Sequence, residues 1–197
     1  MLEFGSGYLL NAKASSGLTI TYKSGNTANC QILLASTGPV VQYVNQKIPG
    51  DTLSCPVIAT QAGNATYAAA APVTQTVTWR KAAMIITPYV STSPTGPLYG
   101  IGTATYAVGS TYTFVSSLLY LNGNNSGLAS FGHLLTAESL TPTVCTVSPT
   151  AIIDRGSLYT WATVKMLQKS TCTVRWSFAG TDTRAASTRD MQVLISK

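Results

Sequence analysis

The chain has 197 residues, of which 9% are charged, and its formal net charge at pH 7 is +6. This length fits one large or two small domains, and an apolar content of 45% argues against disorder. The sequence has no Lys/Arg block, no apolar stretch long enough to span a membrane and no cofactor motif, so we expect no nucleic-acid partner, no membrane-spanning segment and no cofactor.

Short segments separated by Gly, Pro, Asn and Ser occupy the first part of the chain. Leu18–Lys23 and Val73–Trp79 alternate apolar and polar residues most regularly, which is typical of strands with one buried face. The strands predicted in this part are Tyr8–Ala12, Leu18–Lys23, Gln31–Ala35, Val40–Asn45, Leu53–Gln61 and Val73–Trp79.

The second part of the chain follows the same scheme, and no segment shows a helical period. Its predicted strands are Thr111–Leu121, Leu128–Leu135, Val144–Ser148, Leu158–Val164, Cys172–Phe178 and Met191–Ser196. Strands at intervals of about 8 to 12 residues, joined by small polar turns, predict an all-β sandwich.

A long match relates the two parts to each other. Cys55–Val77 matches Cys172–Leu194 at a constant offset and without a gap. A constant offset over this length predicts two copies of one structural unit. We therefore expect two domains, residues 1–81 and residues 82–197, each large enough to bury its own core.

The repeat also divides the four cysteines into two pairs. Four cysteines allow three pairings, and duplication favours the pairing within each unit, Cys30 with Cys55 and Cys145 with Cys172. Each bridge would close a loop of about 26 residues and contribute about 3 to 4 kcal/mol to the free energy of unfolding. Two disulfides predict an oxidising compartment outside the cytosol.

The two units differ in what precedes their matched parts. Fifteen residues precede the tripeptide Ser-Gly-Leu at 16–18, whereas about 44 separate Lys81 from the same tripeptide at 126–128. The first unit is therefore expected to lack leading β structure. Either its boundary is truncated, or it has an open edge completed by a strand from another subunit. Because Met1–Gly7 has the character of a cloning linker, we expect a fragment of a longer secreted protein or a mature chain with a new start.

Charge is nearly absent from the middle of the chain. Between Ala82 and Ile153, Glu138 is the one formally charged residue. Charge depletion combined with abundant tyrosine is a feature of packed interfaces. The tyrosines predicted at such an interface are Tyr89, Tyr99, Tyr106, Tyr112 and Tyr120. The alternative is that about half of the aromatic residues fill the sandwich core.

One part of the repeat resembles a known family. The segment Cys55-x-x-Ile-Ala-Thr-Gln-Ala-Gly-Asn-Ala-Thr-Tyr-Ala-Ala-Ala, followed by Val73-Thr-Gln-Thr-Val, is similar to the closing strands of bacterial Ig-like repeats. The resemblance is specific for residues 16–79 and looser for residues 126–197. It implies two tandem Ig-like antiparallel β-sandwiches, used as spacers, stalks or adhesive modules of secreted and surface proteins. The family has no common catalytic residues, so none is transferred.

Catalytic and metal-binding patterns are weak throughout. His133 is the one histidine, so a Ser-His-acid triad would need it together with Glu138 or a distant Asp. It is not near a nucleophile-elbow motif, and the acidic residues are scattered rather than clustered as calcium or glycosidase sites require. We therefore predict that the protein is not an enzyme.

The function that follows is mechanical. We predict a non-catalytic extracellular module that spaces or displays other parts of a bacterial surface or secreted protein. One alternative is a self-assembling subunit of a surface filament or layer, and another is an adhesin or carbohydrate-binding module. The expected partners are neighbouring domains or other copies of the same protein, with acidic cell-surface polysaccharide as a further candidate.

Overall fold

The computed structural model describes residues 1–44, 47–48, 50–103, 105–120, 135–154 and 158–197. Its regular structure is β throughout these residues except for one short 3-10 helix, Ile101–Thr103. The predicted all-β class is confirmed. The chain divides into two compact units, one formed by residues 1–82 with 182–184 and the other by residues 83–181 with 185–197.

The first unit contains two sheets. Its strands are β1 Leu2–Glu3, β2 Tyr8–Leu9, β3 Thr21–Ser24, β4 Cys30–Ala35, β5 Gly38–Tyr43, β6 Thr52–Gln61 and β7 Ala70–Arg80. One sheet has the order β1-β7-β6-β3 and the other has the order β2-β5-β4. The pair β1–β7 is parallel, and the other pairs are antiparallel.

The second unit also contains two sheets. Its strands are β8 Met84–Ser91, β9 Leu98–Tyr99, β10 Thr111–Tyr120, β11 Thr136–Ser139, β12 Cys145–Val147, β13 Ala151–Asp154, β14 Leu158–Met166, β15 Thr171–Phe178 and β16 Ser187–Leu194. One sheet has the order β12-β14-β10-β8-β9, with β13 also paired to β14, and the other has the order β11-β15-β16.

The two units share one strand order. The sheet β11-β15-β16 corresponds to β3-β6-β7, and the series β10-β14-β12 corresponds to β2-β5-β4. The parallel contact recurs as well, because Leu2 pairs with Trp79 and Tyr106 forms a parallel bridge with Ile195. Strands β8 and β9 have no counterpart among the described strands of the first unit.

A β-bulge interrupts the last hairpin of the first unit. Ala59 pairs with Val73 and Gln61 pairs with Ala70, so β7 has one more residue than β6 between these two pairs. The equivalent strands β15 and β16 pair along their whole length without interruption. One extra residue turns every following side chain of the bulged strand to the opposite face of the sheet.

The bulge changes which residues of the repeat are structurally equivalent. Cys55 pairs with Val77, whereas Cys172 pairs with Val193. The residue matched to Val77 at constant offset is Leu194, which is 65% exposed. The sequence match therefore locates the hairpin in both units but assigns the wrong face to the second half of one strand.

The two units bury very different amounts of apolar structure. Among the described residues, nineteen buried ones form one core in the second unit. The core of the first unit contains seven described residues, namely Cys30, Val41, Ile48, Leu53, Cys55, Val57 and Trp79. Because burial of apolar surface is the main stabilising contribution to folding, the first unit depends more on other restraints, including its disulfide.

Several predicted strands differ from the observed ones. β2 ends at Leu9 rather than at residue 12, and β3 begins at Thr21 rather than at residue 18. The strand β8 was not predicted, and it contains Pro88, a residue type that is unusual in a central strand. The predicted strand Leu128–Leu135 lies outside the described residues except for its last residue.

Candidate functional site

Each unit has a disulfide that joins its two sheets. Cys30 on β4 is bonded to Cys55 on β6, with their Cα atoms 6.0 Å apart. Cys145 on β12 is bonded to Cys172 on β15, with their Cα atoms 5.7 Å apart. All four residues are buried. The structure thus brings together the cysteines of each unit, and the bridges cross the cores from sheet to sheet.

A serine accompanies the first cysteine of each pair, and sequence reasoning missed it. The hydroxyl of Ser24 lies 3.0 Å from the Sγ of Cys30, and that of Ser139 lies 3.4 Å from the Sγ of Cys145. Each hydroxyl also accepts a hydrogen bond from the backbone N–H two residues further on. The sequence did contain a signal for this contact, because Ser24 precedes Cys30 and Ser139 precedes Cys145 by the same six positions.

The tyrosines predicted at an interface do not form one surface cluster. Tyr106 is 2% exposed, and its ring packs edge-on against Tyr112 with 4.9 Å between the ring centroids. Tyr106 therefore contributes to the core of the second unit. Tyr99 is 46% exposed, and Tyr89 is half-buried. The side chain of Tyr120 lies outside the described residues.

Three ion pairs lie in the described part of the chain, namely Lys47–Asp182, Arg80–Glu3 and Arg175–Asp190. Arg175 donates two hydrogen bonds to the carboxylate of Asp190, at 2.7 and 2.8 Å. The hydrogen bond from Arg175 holds the pKa of Asp190 below its ordinary value. Within the described ranges no three His, Cys, Asp or Glu side chains are grouped as metal ligands. His133 lies outside them. No helix in the described segments has the length and apolar character that crossing a bilayer requires.

An open groove of about 420 Å³ lies within the first unit. One wall is the core-facing side of β6 and β7, with Val57, Ala59 and Val73, and the other wall includes residues 10–14, which follow β2. Val73 is 59% exposed, although it points to the same side of the sheet as the buried Val57. Among the described residues that line the groove, Lys13 alone has a formal charge. The groove is therefore a mainly apolar surface that the first unit leaves uncovered.

The size of one pair of side chains explains part of this opening. In the first unit Tyr22 of β3 pairs with Ala59 of β6. In the second unit the equivalent pair is Ala137 with Trp176, and Trp176 is fully buried. The large residue of the pair is Tyr22 on the outer strand β3 in the first unit, and it is Trp176 on the inner strand β15 in the second. Because Ala59 occupies the inner position, the first unit has an unfilled volume where the second has an indole ring.

Gln61 brings an unused hydrogen-bond donor to the groove. The residue lines the groove and is 7% exposed. Its Oε1 accepts a hydrogen bond of 3.1 Å from the backbone N–H of Ala70. Its Nε2 is buried and has no hydrogen-bond partner among the described atoms. A buried amide without a partner lowers stability by about 1 to 3 kcal/mol, so a bound acceptor would relieve this cost. The repeat has Phe178 at the matching position.

The chemistry of the groove is that of a binding surface. It combines apolar walls, a single cation and the side-chain amides of Asn11, Gln61 and Gln75, which together suit an extended apolar chain with carbonyl acceptors. The described lining residues include no carboxylate and no histidine.

Comparisons with known proteins gave structural neighbours alone, because no protein-family model and no curated protein matches the chain. The chain is similar to domains 4 and 5 of the S-layer protein SbsC, with a TM-score of 0.34 and 21% identity over 93% of this chain and 77% of that one. A structure of SbsC domains 4–9 gives the same TM-score, with 19% identity over 93% of this chain and 24% of that one. The cadherin-like domains 1 to 4 of zebrafish RET give 0.30, with 8% identity over 90% and 40% of the two chains. TM-scores this low carry no functional argument.

Proposed function

We propose that the chain is a non-catalytic structural module of a bacterial surface or secreted protein. The observation that carries the proposal is the tandem repetition of one sandwich, each copy fastened from sheet to sheet by a buried disulfide. Such a bridge limits how far each unit can extend under load. Limited extension suits a module that spaces or displays other domains.

The strand order supports an Ig-like assignment for both units. In Ig sandwiches the second strand pairs with the fifth, and the third pairs with the sixth, which also pairs with the seventh. The strands β2, β5, β3, β6 and β7 have these relations in the first unit, and their counterparts have them in the second. One departure is that the disulfide here joins the fourth and sixth strands, whereas the bridge of antibody domains joins the second and sixth.

The disulfides also support an extracellular location. Two buried bridges with no free cysteine among the described residues are characteristic of proteins that fold in oxidising compartments. The net charge of +6 would favour acidic cell-surface polysaccharide as a neighbour of the protein.

A second candidate function is a self-assembling subunit, and the open groove of the first unit favours it. An uncovered apolar surface next to unpaired chain is a site where another strand can add to the fold. The two roles differ in how the mass of the particle depends on protein concentration, because a spacer stays a single chain and a subunit assembles.

Light scattering and negative-stain electron microscopy of the oxidised chain test the proposal. A spacer keeps the mass of one chain from micromolar to millimolar concentration. Regular filaments or sheets that grow with concentration would replace the spacer role by the subunit role. Four free thiols in an alkylation experiment would contradict both forms of the proposal, because both depend on the disulfides.

A further inference from the structure

The second unit contains a strand at the place that corresponds to the groove. β8 pairs antiparallel with β10, so that Val90 lies opposite Phe114 and Ile86 lies opposite Leu118. Met84, Ile86 and Val90 are all buried in the core of that unit. One face of β8 therefore completes the apolar core between the two sheets.

Strand pairing identifies the residues of the first unit that correspond to β10. Tyr8 pairs with Val41, and Tyr112 pairs with Val164. Val41 lies two residues before Tyr43, which pairs with Cys30. In the same way, Val164 lies two residues before Met166, which pairs with Cys145. Counting on from the two tyrosines, residues 10–14 correspond to the part of β10 that pairs with β8. The groove is therefore lined by the segment that would be a neighbour of a β8-like strand.

The first unit shows the effect of having no such neighbour. β10 has ten residues, whereas β2 has two and residues 10–14 are not in a strand. Strand residues are stabilised by pairing on their edges, so a segment with one partner is shorter than a segment between two. Leu10, Ala12 and Ala14 present apolar side chains to the groove, which Asn11 and Lys13 also line. These residues leave room for another chain.

We propose that this groove binds a second copy of the β8 segment, donated by another copy of the chain whose β8 leaves the core of its own unit. The bound strand runs antiparallel to residues 10–14 and covers Val73 and Ala59 with its apolar face. A backbone carbonyl of the strand accepts the hydrogen bond that Gln61 Nε2 does not make in the free unit. The inference deepens the second candidate function, the self-assembling subunit, and rests on it, because a strand shared between copies is a means of joining them.

The occupant is a peptide strand rather than a sugar because the groove is apolar and nearly uncharged. In β8 the residues facing the core are Met, Ile and Val, while Ile85 on the opposite side is 38% exposed. Three residues separate the last strand of the first unit, which ends at Arg80, from Met84. The connection between the last strand of the first unit and the first strand of the second is therefore very short.

Peptide binding to the whole oxidised protein tests the proposal. The probe is a fluorescently labelled peptide of residues 83–92 with blocked ends, and the readout is anisotropy. We expect saturable binding at a ratio of one peptide per chain. A peptide of the same length with Ile86→Asp and Val90→Asp should not bind, since it loses its apolar face. Hydrogen exchange should show new protection at residues 10–14 and 70–77 and none at residues 111–120.

Two variants of the groove and one matched control locate the site. Val73→Lys should weaken binding of the peptide by about tenfold, because it removes one apolar contact. Gln61→Leu should weaken it by about fivefold, because it removes one hydrogen bond. Leu194→Lys, at an exposed position of the second unit, should leave binding unchanged. Exchange protection of Trp79 in each variant shows that the first unit remains folded.

Three results would overturn the proposal. The first is absence of saturable binding to a chain whose first unit is folded, and the second is binding that Val73→Lys does not weaken. The third is an acidic oligosaccharide that binds in a Val73-dependent manner while the peptide does not. None of them changes the light-scattering measurement, which detects self-assembly through any surface, so the strand site and the self-assembling role fail separately.

Discussion

Gly63 turns the chain between β6 and β7, and its repeat partner Gly180 turns it between β15 and β16. Both have left-handed backbone angles, with φ of +73° and +84°. A Cβ atom at Gly63 would also lie 2.5 Å from the carbonyl oxygen of Tyr67 and 2.6 Å from the backbone nitrogen of Ala69. Two separate requirements, the angle and the space, therefore select glycine at this position.

Replacing Gly63 with Ala should lower the free energy of unfolding of the first unit by about 2 kcal/mol or more. Gly17→Ala is the matched control, because its φ is +72° and nothing lies within 4 Å of its added Cβ. That control should cost about 1 kcal/mol, for the angle alone. Urea titration followed by hydrogen exchange measures both. Equal losses would mean that the close approach to Tyr67 relaxes without cost.

Tyr106 is the tyrosine whose burial has the clearest consequence for pH dependence. Burial raises its pKa from 10.0 to about 12, and the neighbouring Tyr112 adds to the effect. Since the folded pKa is raised, this contribution to stability is complete below pH 10 and is lost as the pH rises through about 12. Its hydroxyl also donates a hydrogen bond of 3.1 Å to the carbonyl oxygen of Ile101.

Tyr106→Phe should therefore shift alkaline unfolding of the second unit to higher pH, while it costs about 1 kcal/mol near neutrality for the lost hydrogen bond. Absorbance at 295 nm, which follows tyrosinate formation, and circular dichroism across pH 9 to 13 provide the measurement. Tyr67→Phe, at a residue 49% exposed, is the control and should not move the unfolding midpoint. An unchanged midpoint in Tyr106→Phe would contradict the prediction.

At the scale of elements, the sequence predicted strands well where alternation and pairing agree. β4, β6 and β15 lie within one residue of their predicted bounds because each is flanked by turns and faces a core. The shortened β2 shows the limit of this reasoning. Its apolar alternation continues through residues 10–14, but whether an alternating segment becomes a strand depends on a neighbour that the local sequence does not specify.

The candidate site was predictable in outline alone. The unequal lengths before the matched segments indicated a missing leading strand in the first unit. The residues of the groove could not be inferred, since the bulge opposite Thr60 decides which face Val73 and Gln75 occupy. At constant offset Gln75 matches Gln192, which lies on the outer face of its hairpin. A single inserted residue therefore hid the site from sequence comparison.

The disulfides should differ in importance between the units. Replacing both Cys30 and Cys55 with Ala removes about 3 kcal/mol, and so does replacing both Cys145 and Cys172. In the part of the chain that the structure describes, the first unit has a core of seven buried residues, compared with nineteen in the second, so its remaining stability should be much smaller. We expect the first double variant to unfold its unit at 37 °C and the second to leave its unit folded.

Hydrogen exchange read separately over residues 52–80 and 158–194 distinguishes the two cases. The two variants are matched controls for each other, because the bridges close loops of nearly equal length, with sequence separations of 25 and 27. Equal protection of both units after loss of their bridges would show that core size does not decide the outcome.

For the whole molecule, the bridges predict how the chain lengthens under force. Residues between the bonded cysteines cannot extend while the disulfides are intact, and each residue released adds about 3.5 Å. Reduction should therefore lengthen the fully unfolded chain by about 90 Å for the separation of 25 residues and by about 95 Å for that of 27. Single-molecule extension before and after reduction measures both steps.

The order of unfolding should follow the unequal cores. The first unit is expected to unfold at the lower force, and binding of the β8 peptide should raise that force by covering Val73 and Ala59. If the peptide binds but the first unit still unfolds at the same force, the peptide occupies the groove without stabilising the unit against unfolding. In an assembly, a strand from a neighbouring copy would complete the core that the first unit leaves open when it is free. The module would therefore resist tension most strongly when its copies are assembled.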